Sequence, residues 1–274
     1  MFTLIKHIPG KNPNARRLRE ALFMAALSFF CFCMSIFRWL YTGAGNFLFL
    51  NWNLFLAFIP WALTSLAAFK SPDQKPKSGG PGTEAEPGVR REIKPPPKIN
   101  GPAPKFPRRK AGFWAASPSE RIKTILLVIC WLLFFPNAPY ILTDLLYLRL
   151  KTNMPVWYDL LLILSFAWTG LLFGFLSLWN IEKILSRFFR PLHTTIISTV
   201  FLFIGSFGIY IGRYLRWNSW DVITEPLGLM YDIGYRFINP HEHPGTWGMT
   251  IFMGLFLNML YWSFRFIRKR DNPL

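Results

Sequence analysis

The sequence predicts an all-α fold: a polytopic membrane helical bundle of about six transmembrane helices, with a short interfacial or re-entrant helix after span three. Three observations lead there. Uncharged runs recur that can cross a bilayer, which takes roughly 17–25 residues. In a chain that is 52% hydrophobic, the 31 Lys and Arg and the 14 Asp and Glu lie mostly between those runs. Two prolines, Pro136 and Pro139, interrupt the third run and disfavour a continuous helix there. These features exclude a soluble globular fold. They also remove the need for a nucleic-acid partner, because the net charge of +17 is explained by topology.

The first span is read over 21–37, between Glu20 and Arg38. It resembles a signal peptide only superficially. No small-x-small cleavage site follows it, and Phe30 stands before Cys31 where a lipoprotein signal needs a small residue. The second span is read over 47–69, the third from 124 to 136, the fourth over 160–181, the fifth over 194–212 and the sixth over 247–264. The domain plan is a basic leader (1–20), spans one and two (21–69), a linker (70–119), spans three to six with outer-face polar motifs (120–268) and a tail (269–274).

Charge sets the expected orientation. With the N-terminus in the cytoplasm, the segments on that side hold 25 basic and 8 acidic residues, while the other side holds 6 of each. The whole net charge falls on one face, as positive-inside topology requires. Both termini are therefore expected in the cytoplasm, in a bacterial inner membrane. Residues 71–118 contain 11 of the 22 prolines and six glycines. Such a segment buries too little apolar surface to fold. It is read as a disordered insertion whose charge enforces topology. The other reading is a tether to a cytoplasmic partner or an anionic lipid surface.

The polar residues converge between 130 and 225. Asn137 is expected to cap a new helix, with Pro139 in its first turn, so the third span breaks at the outer boundary. Asn137, Tyr140, Asp144 and Tyr147 follow spacings of three, four and three, which puts them on one face. Asp159 opens the fourth span, where a carboxylate suits the positive end of the helix dipole. Gly170, Gly174 and Ser177 form a small-residue stripe there, and Gly205, Gly208 and Gly212 form one on the fifth span. Matching stripes allow close helix contact and are expected to bring Asp159 near Arg213. Arg213 and Arg216 also suit a helix C-terminus, and Asn218 with Asp221 reads as a capping pair. Each residue has a structural explanation. Together they place Asp144, Asp159, Arg213, Arg216 and Asp221 at one depth on one side, where ionisable groups need partners or water.

Weaker signals surround this region. Asn51, Asn53 and Asn258 suit helix–helix hydrogen bonds, and the first two are also candidates to line a pocket. His241-Glu242-His243 is a loose metal pattern, and no metal site is expected. Cys31, Cys33 and Cys130 read as buried free thiols. No cofactor is expected.

These residues carry a resemblance. Pro136-Asn137-Ala138-Pro139-Tyr140 through Thr143-Asp144-Leu145, Tyr158-Asp159 with Ser165-Phe166-Ala167-Trp168, and Arg213-Tyr214-Leu215-Arg216-Trp217-Asn218-Ser219-Trp220-Asp221 resemble the bacterial membrane family known as domain of unknown function 1361. Trp52-Asn53-Leu54 fits as well. The resemblance implies a polytopic bacterial membrane protein and supplies no activity.

Function is therefore read from the residues. The preferred expectation is a polar site at the extracytoplasmic face that binds an anionic membrane lipid or lipid-linked head group. Asn137, Tyr140, Asp159, Arg213, Arg216 and Asp221 would bind it. Asp144 would act as base if chemistry occurs, because it has the weakest capping explanation. No Ser/His/Asp arrangement or cysteine nucleophile names a reaction. A small-solute or lipid transporter and a non-catalytic scaffold or assembly factor are the alternatives.

Overall fold

The computed structural model describes residues 13–69, 113, 117–149 and 154–270. The first part of the leader, nearly all of the linker and the last four residues lie outside the described residues, and with them the expectation of linker disorder. The chain builds α1 (Pro13–Thr42), α2 (Phe49–Phe69), α3 (Pro118–Phe134), α4 (Asn137–Tyr140), a 3₁₀ segment (Ile141–Arg149), α5 (Val156–Leu185), α6 (Pro191–Tyr210), a π turn (Ile211–Leu215), α7 (Asp221–Thr224), α8 (Pro226–Ile238) and α9 (Pro244–Arg270). Six stretches are long and apolar enough to span a membrane, and the third of them joins α3, α4 and the 3₁₀ segment. No strand occurs among the described residues. The fold is an all-α polytopic bundle.

Local chemistry explains the boundaries. Pro118, Pro191, Pro226 and Pro244 each stand at the start of their helices, where the missing N–H costs nothing and the fixed φ suits helix. Ser117 Oγ accepts the Glu120 amide at 3.3 Å to open α3, as an N-cap should. Gly43 stops α1 in the left-handed region, φ +66°, where glycine carries no Cβ penalty.

The α5 helix is the axis of the bundle. In its most apolar window 72% of residues are buried, against 17–33% in the other five spans. A helix apolar on all sides belongs in the centre. One core group joins α1, α2 and α5, with Leu50, Leu162 and Phe166 fully buried. A second joins α3, α5, α6 and α9 through Trp131, Leu178, Leu202 and Tyr261. The outward faces carry large apolar side chains such as Phe29, Leu40, Phe252 and Met259, which suits contact with lipid chains. Cys33 and Cys130 lie on these outward faces, and only Cys31 is buried. The expectation of three buried thiols is corrected on that point, because their helices turn those positions away from α5.

The glycine stripes act differently from the sequence expectation. They do not clamp the fourth and fifth spans to each other. They form two walls of a slot that holds the broken segment between α3 and the 3₁₀ helix. A Cβ on Gly170 would lie 2.8 Å from the Ala138 carbonyl oxygen, one on Gly205 2.8 Å from the Phe135 ring, and one on Gly208 2.7 Å from Pro136. Gly174 and Gly212 likewise face Ala138 and Tyr140. The break therefore lies level with the middle of α5, deeper than the outer boundary. The stripes are small because Phe135, Pro136, Ala138 and Tyr140 pass between them at contact distance.

Two ends follow from this path. The near end carries the start of α1, the α5–α6 turn and the end of α9. The far end carries the α1–α2 turn, the segment before α5, and everything from the π turn to α9.

Candidate functional site

The far end holds two separate buried ion pairs. Arg213 Nη2 donates to Asp144 Oδ1 at 2.7 Å, and the Asp144 side chain is fully buried. Asn53 Nδ2 donates to its other oxygen at 3.1 Å. Arg213 also donates from Nε to Thr143 Oγ1 at 3.0 Å and from Nη1 to the Tyr140 hydroxyl at 3.3 Å. The guanidinium stands 4.8 Å from the Tyr140 ring centre and 5.1 Å from that of Tyr147. Tyr140, Asp144 and Tyr147 thus meet one cation, and the three-and-four spacing works across the change from α-helix to 3₁₀ helix. The π turn places Arg213 there. The assembly ties α2, the 3₁₀ segment and α6 together.

Asp159 does not meet Arg213. Its partner is Arg38, which donates from Nε at 2.7 Å and from Nη2 at 3.3 Å to the two carboxylate oxygens. Both side chains are buried, and the guanidinium packs 4.2 Å from the Phe47 ring centre. Arg38 was missed from sequence. The available signal was its place: a lone cation closing an uncharged run needs a carboxylate at the same depth. The expected approach of Asp159 to Arg213 fails because the broken segment occupies the space between α5 and α6.

The remaining predicted residues lie around a turn. Asn137 does not cap α4; Pro136 stands at that position without a side-chain bond. Asn137 Nδ2 instead donates to the Phe134 carbonyl and to Ser219 Oγ, both at 3.0 Å, and Ser219 donates on to the Leu133 carbonyl. The amide thereby closes the end of α3 and fastens the 217–220 turn to it. Asp221 Oδ2 accepts the Asn218 amide at 2.5 Å, the reciprocal half of a capping box. Arg216 is exposed and holds φ +64°, the one left-handed residue other than glycine among those described. It makes no ion pair among the described residues. Asn51 donates to Ser35 on α1 at 2.8 Å, and Asn258 to the Gly254 carbonyl of its own helix.

A cleft of about 310 Å³ lies between α2, the broken segment, α6 and α8. Its walls are mainly apolar, with Leu56, Leu132, Phe207 and Leu229 among them. Asn53, Asn137, Tyr140, Asn218 and Ser219 supply neutral polar groups, and Trp217 and Trp220 stand over it. Irregular backbone deep in a membrane protein is tolerated where it is buried or lines a cavity, and Pro136 and Asn137 do line this one. The ionic groups stay in the wall behind Tyr140 and Asn53. The His241–His243 loop is engaged otherwise: Tyr235 donates to Glu242 at 2.7 Å, and that carboxylate pushes the Tyr235 phenol up from its ordinary value. No group of three or more His, Cys, Asp or Glu with metal-binding spacing occurs among the described residues.

The match to known proteins fits this anatomy. The family model described as "Protein of unknown function (DUF1361)" matches residues 111–260. The chain belongs to that family. The matched stretch runs from just before α3 into α9, so it contains the glycine slot, the Asp144–Arg213 pair and the 217–220 turn. Asn53 and Arg38, which complete the two ion pairs, come from helices that precede it. No curated protein and no solved structure matches the chain.

Proposed function

We propose that the far-end cleft binds the membrane-embedded part of an anionic lipid or lipid-linked molecule. The observation that carries this reading is the cleft itself: an apolar chamber opening beside a neutral polar rim, roughly the lower size for a small-ligand site. Its apolar walls suit an acyl or polyisoprenoid chain. Asn53, Asn137, Asn218 and Ser219 supply donors and acceptors at the polar boundary. Arg216, exposed one residue before the turn that covers the cleft, supplies the positive charge for the head group. Arg213 and Asp159, already satisfied by protein partners, take a positioning role in this reading. So does Asp144, whose two oxygens are both engaged, and no proton-transfer step is assigned to it. The one-sided distribution of charge supports a far end that faces away from the cytoplasm, with both termini cytoplasmic, in a bacterial inner membrane.

Native mass spectrometry of the detergent-purified protein tests the proposal. Wild type is expected to retain a lipid. Leu229→Trp and Ile233→Trp, which fill the cleft from α8, are expected to lose it while keeping the wild-type unfolding midpoint. Equal retention in the filled variants, or no retained lipid in wild type, overturns the reading. A transporter reading draws on the broken helix lining a cavity at mid-bundle depth, a recurrent arrangement in transporters. It requires that the same filled variants abolish flux of the retained molecule across proteoliposomes.

A further inference from the structure

The near end holds a second polar cluster, independent of the cleft, whose charges do not balance among the described residues. Glu20 Oε1 accepts from both Arg16 Nε, at 3.2 Å, and Arg268 Nη2, at 2.5 Å. Glu182 accepts from Arg265 Nη1 at 3.0 Å. Lys183, the next residue, is exposed and makes no ion pair among the described residues. Among the described residues two carboxylates therefore pair with three arginines, and Lys183 pairs with neither. The Trp179 ring lies under three of these: Lys183 at 5.7 Å, Arg265 at 6.0 Å and Arg268 at 5.2 Å from its centre. Arg268, Arg16 and Arg17 act on Lys183 as like charges, and Glu20 alone acts on it as an opposite charge. Trp179 Nε1 and Arg268 Nε are buried donors that find no acceptor among the described residues.

Every deficit here is of the same sign. Among the described residues the cluster has one cation without a carboxylate, Lys183, and two N–H donors without an acceptor. Three arginines gathered against one lysine with a single carboxylate to offset them leave an excess of positive charge that a further anion would relieve, because like charges repel one another. A phosphate group answers the deficit: it is anionic and brings several acceptor oxygens, and Lys and Arg are its usual protein partners. The cluster sits where α1, α5 and α9 leave their apolar spans, the depth of a lipid head group.

We propose that Lys183, with Arg16 and Arg268 beside it over Trp179, binds a phosphate group at the near end. That phosphate belongs to an anionic phospholipid head group or to a soluble phosphate compound. The full-length protein in detergent is titrated with phosphatidylglycerol and, separately, with inorganic phosphate, and binding is followed by native mass spectrometry. Lys183→Gln is expected to weaken binding about tenfold, the loss of one charge-assisted contact, and Lys183→Arg to retain it. Lys183 makes no ion pair among the described residues and its side chain is exposed, so no buried carboxylate is orphaned and the variant is expected to unfold at the wild-type midpoint. Lys183-dependent binding of phosphatidylglycerol that inorganic phosphate does not displace assigns the site to lipid. Lys183-dependent binding of inorganic phosphate with no gain from the lipid assigns it to a soluble compound. If Lys183→Gln binds both probes as wild type does, the proposal is overturned. The outer-cleft variants Leu229→Trp and Ile233→Trp leave this site untouched, so the two proposals fail separately.

Discussion

The two ends of the bundle handle charge in opposite ways. At the far end Arg213 pairs with Asp144, which Asn53 also serves, while Thr143 and Tyr140 complete the arginine, and Arg38 pairs with Asp159; Arg236, on the part-exposed Asp232, is the exception, with a buried Nε unpartnered among the described residues. At the near end three arginines share two carboxylates, Lys183 pairs with neither, and Trp179 and Arg268 keep buried donors unpartnered among the described residues. A balanced pair with all its hydrogen bonds made is a lock. It fixes which helices meet, and it has nothing left to offer a ligand. An unbalanced cluster is receptive. Residue type alone does not separate the two, since both are built from arginines and carboxylates near an aromatic ring. The difference lies in the count of partners.

Breaking the lock gives the largest effect. Arg213→Met leaves the Asp144 carboxylate buried with Asn53 alone, and is expected to destabilise the fold by about 3–5 kcal/mol. The double variant Asp144→Leu/Arg213→Met removes both charges and is expected to recover most of that loss, because a buried pair replaced by apolar groups is often neutral. Reversible unfolding in detergent measures both. A double variant no more stable than the single would show that Asp144 matters for something other than its charge partner.

The slot is the next target. Gly170→Ala pushes a methyl group to within 2.8 Å of the Ala138 backbone oxygen. Backbone cannot swing away as a flexible side chain can, so a loss of about 1–3 kcal/mol is expected. Gly248→Ala, where a Cβ meets nothing within 4 Å, is the control and should move stability little. Equal effects at the two sites would mean that the broken segment is not held by close contact.

The smallest expected change is a gain. Arg216 holds a left-handed backbone that costs a residue with a Cβ roughly 1–2 kcal/mol relative to glycine. Arg216→Gly is therefore expected to raise the unfolding free energy by about 1 kcal/mol, while lowering lipid retention at the far end. Higher stability with unchanged retention would detach Arg216 from the head group and leave only the cleft.

The fold was legible because length, charge gaps and proline act locally. Six spans, the interruption at Pro136 and Pro139, and the shared face of Tyr140, Asp144 and Tyr147 depend on spacing that a helix or near-helix preserves. The Asn218–Asp221 capping pair was legible for the same reason. Pairings across the bundle were not. Asp159 had three arginines at its depth, and only packing decides that Arg38 reaches it while the chain from Phe135 to Ile141 keeps Arg213 away. The glycines signalled closeness correctly and the wrong partner, because a stripe of small residues records that something approaches without recording what. The cleft was invisible in sequence, since its walls are ordinary span residues.

The Asp144–Arg213 pair also has a consequence for the order in which the protein is made. The two residues are 69 positions apart in the chain, and the second belongs to a span that emerges two helices later. At ~5–20 residues per second of synthesis, the third span waits on the order of ten seconds with its carboxylate unmatched. A carboxylate held in that state in lipid costs roughly 2.5–3.5 kcal/mol. Asn53 is already present by then, so the amide is the first partner and the arginine the last. The broken span is therefore completed from behind, by a helix that has not yet been translated when it enters the membrane, and a chain cut short before residue 213 carries in its third crossing an acid with an amide partner and no counter-charge.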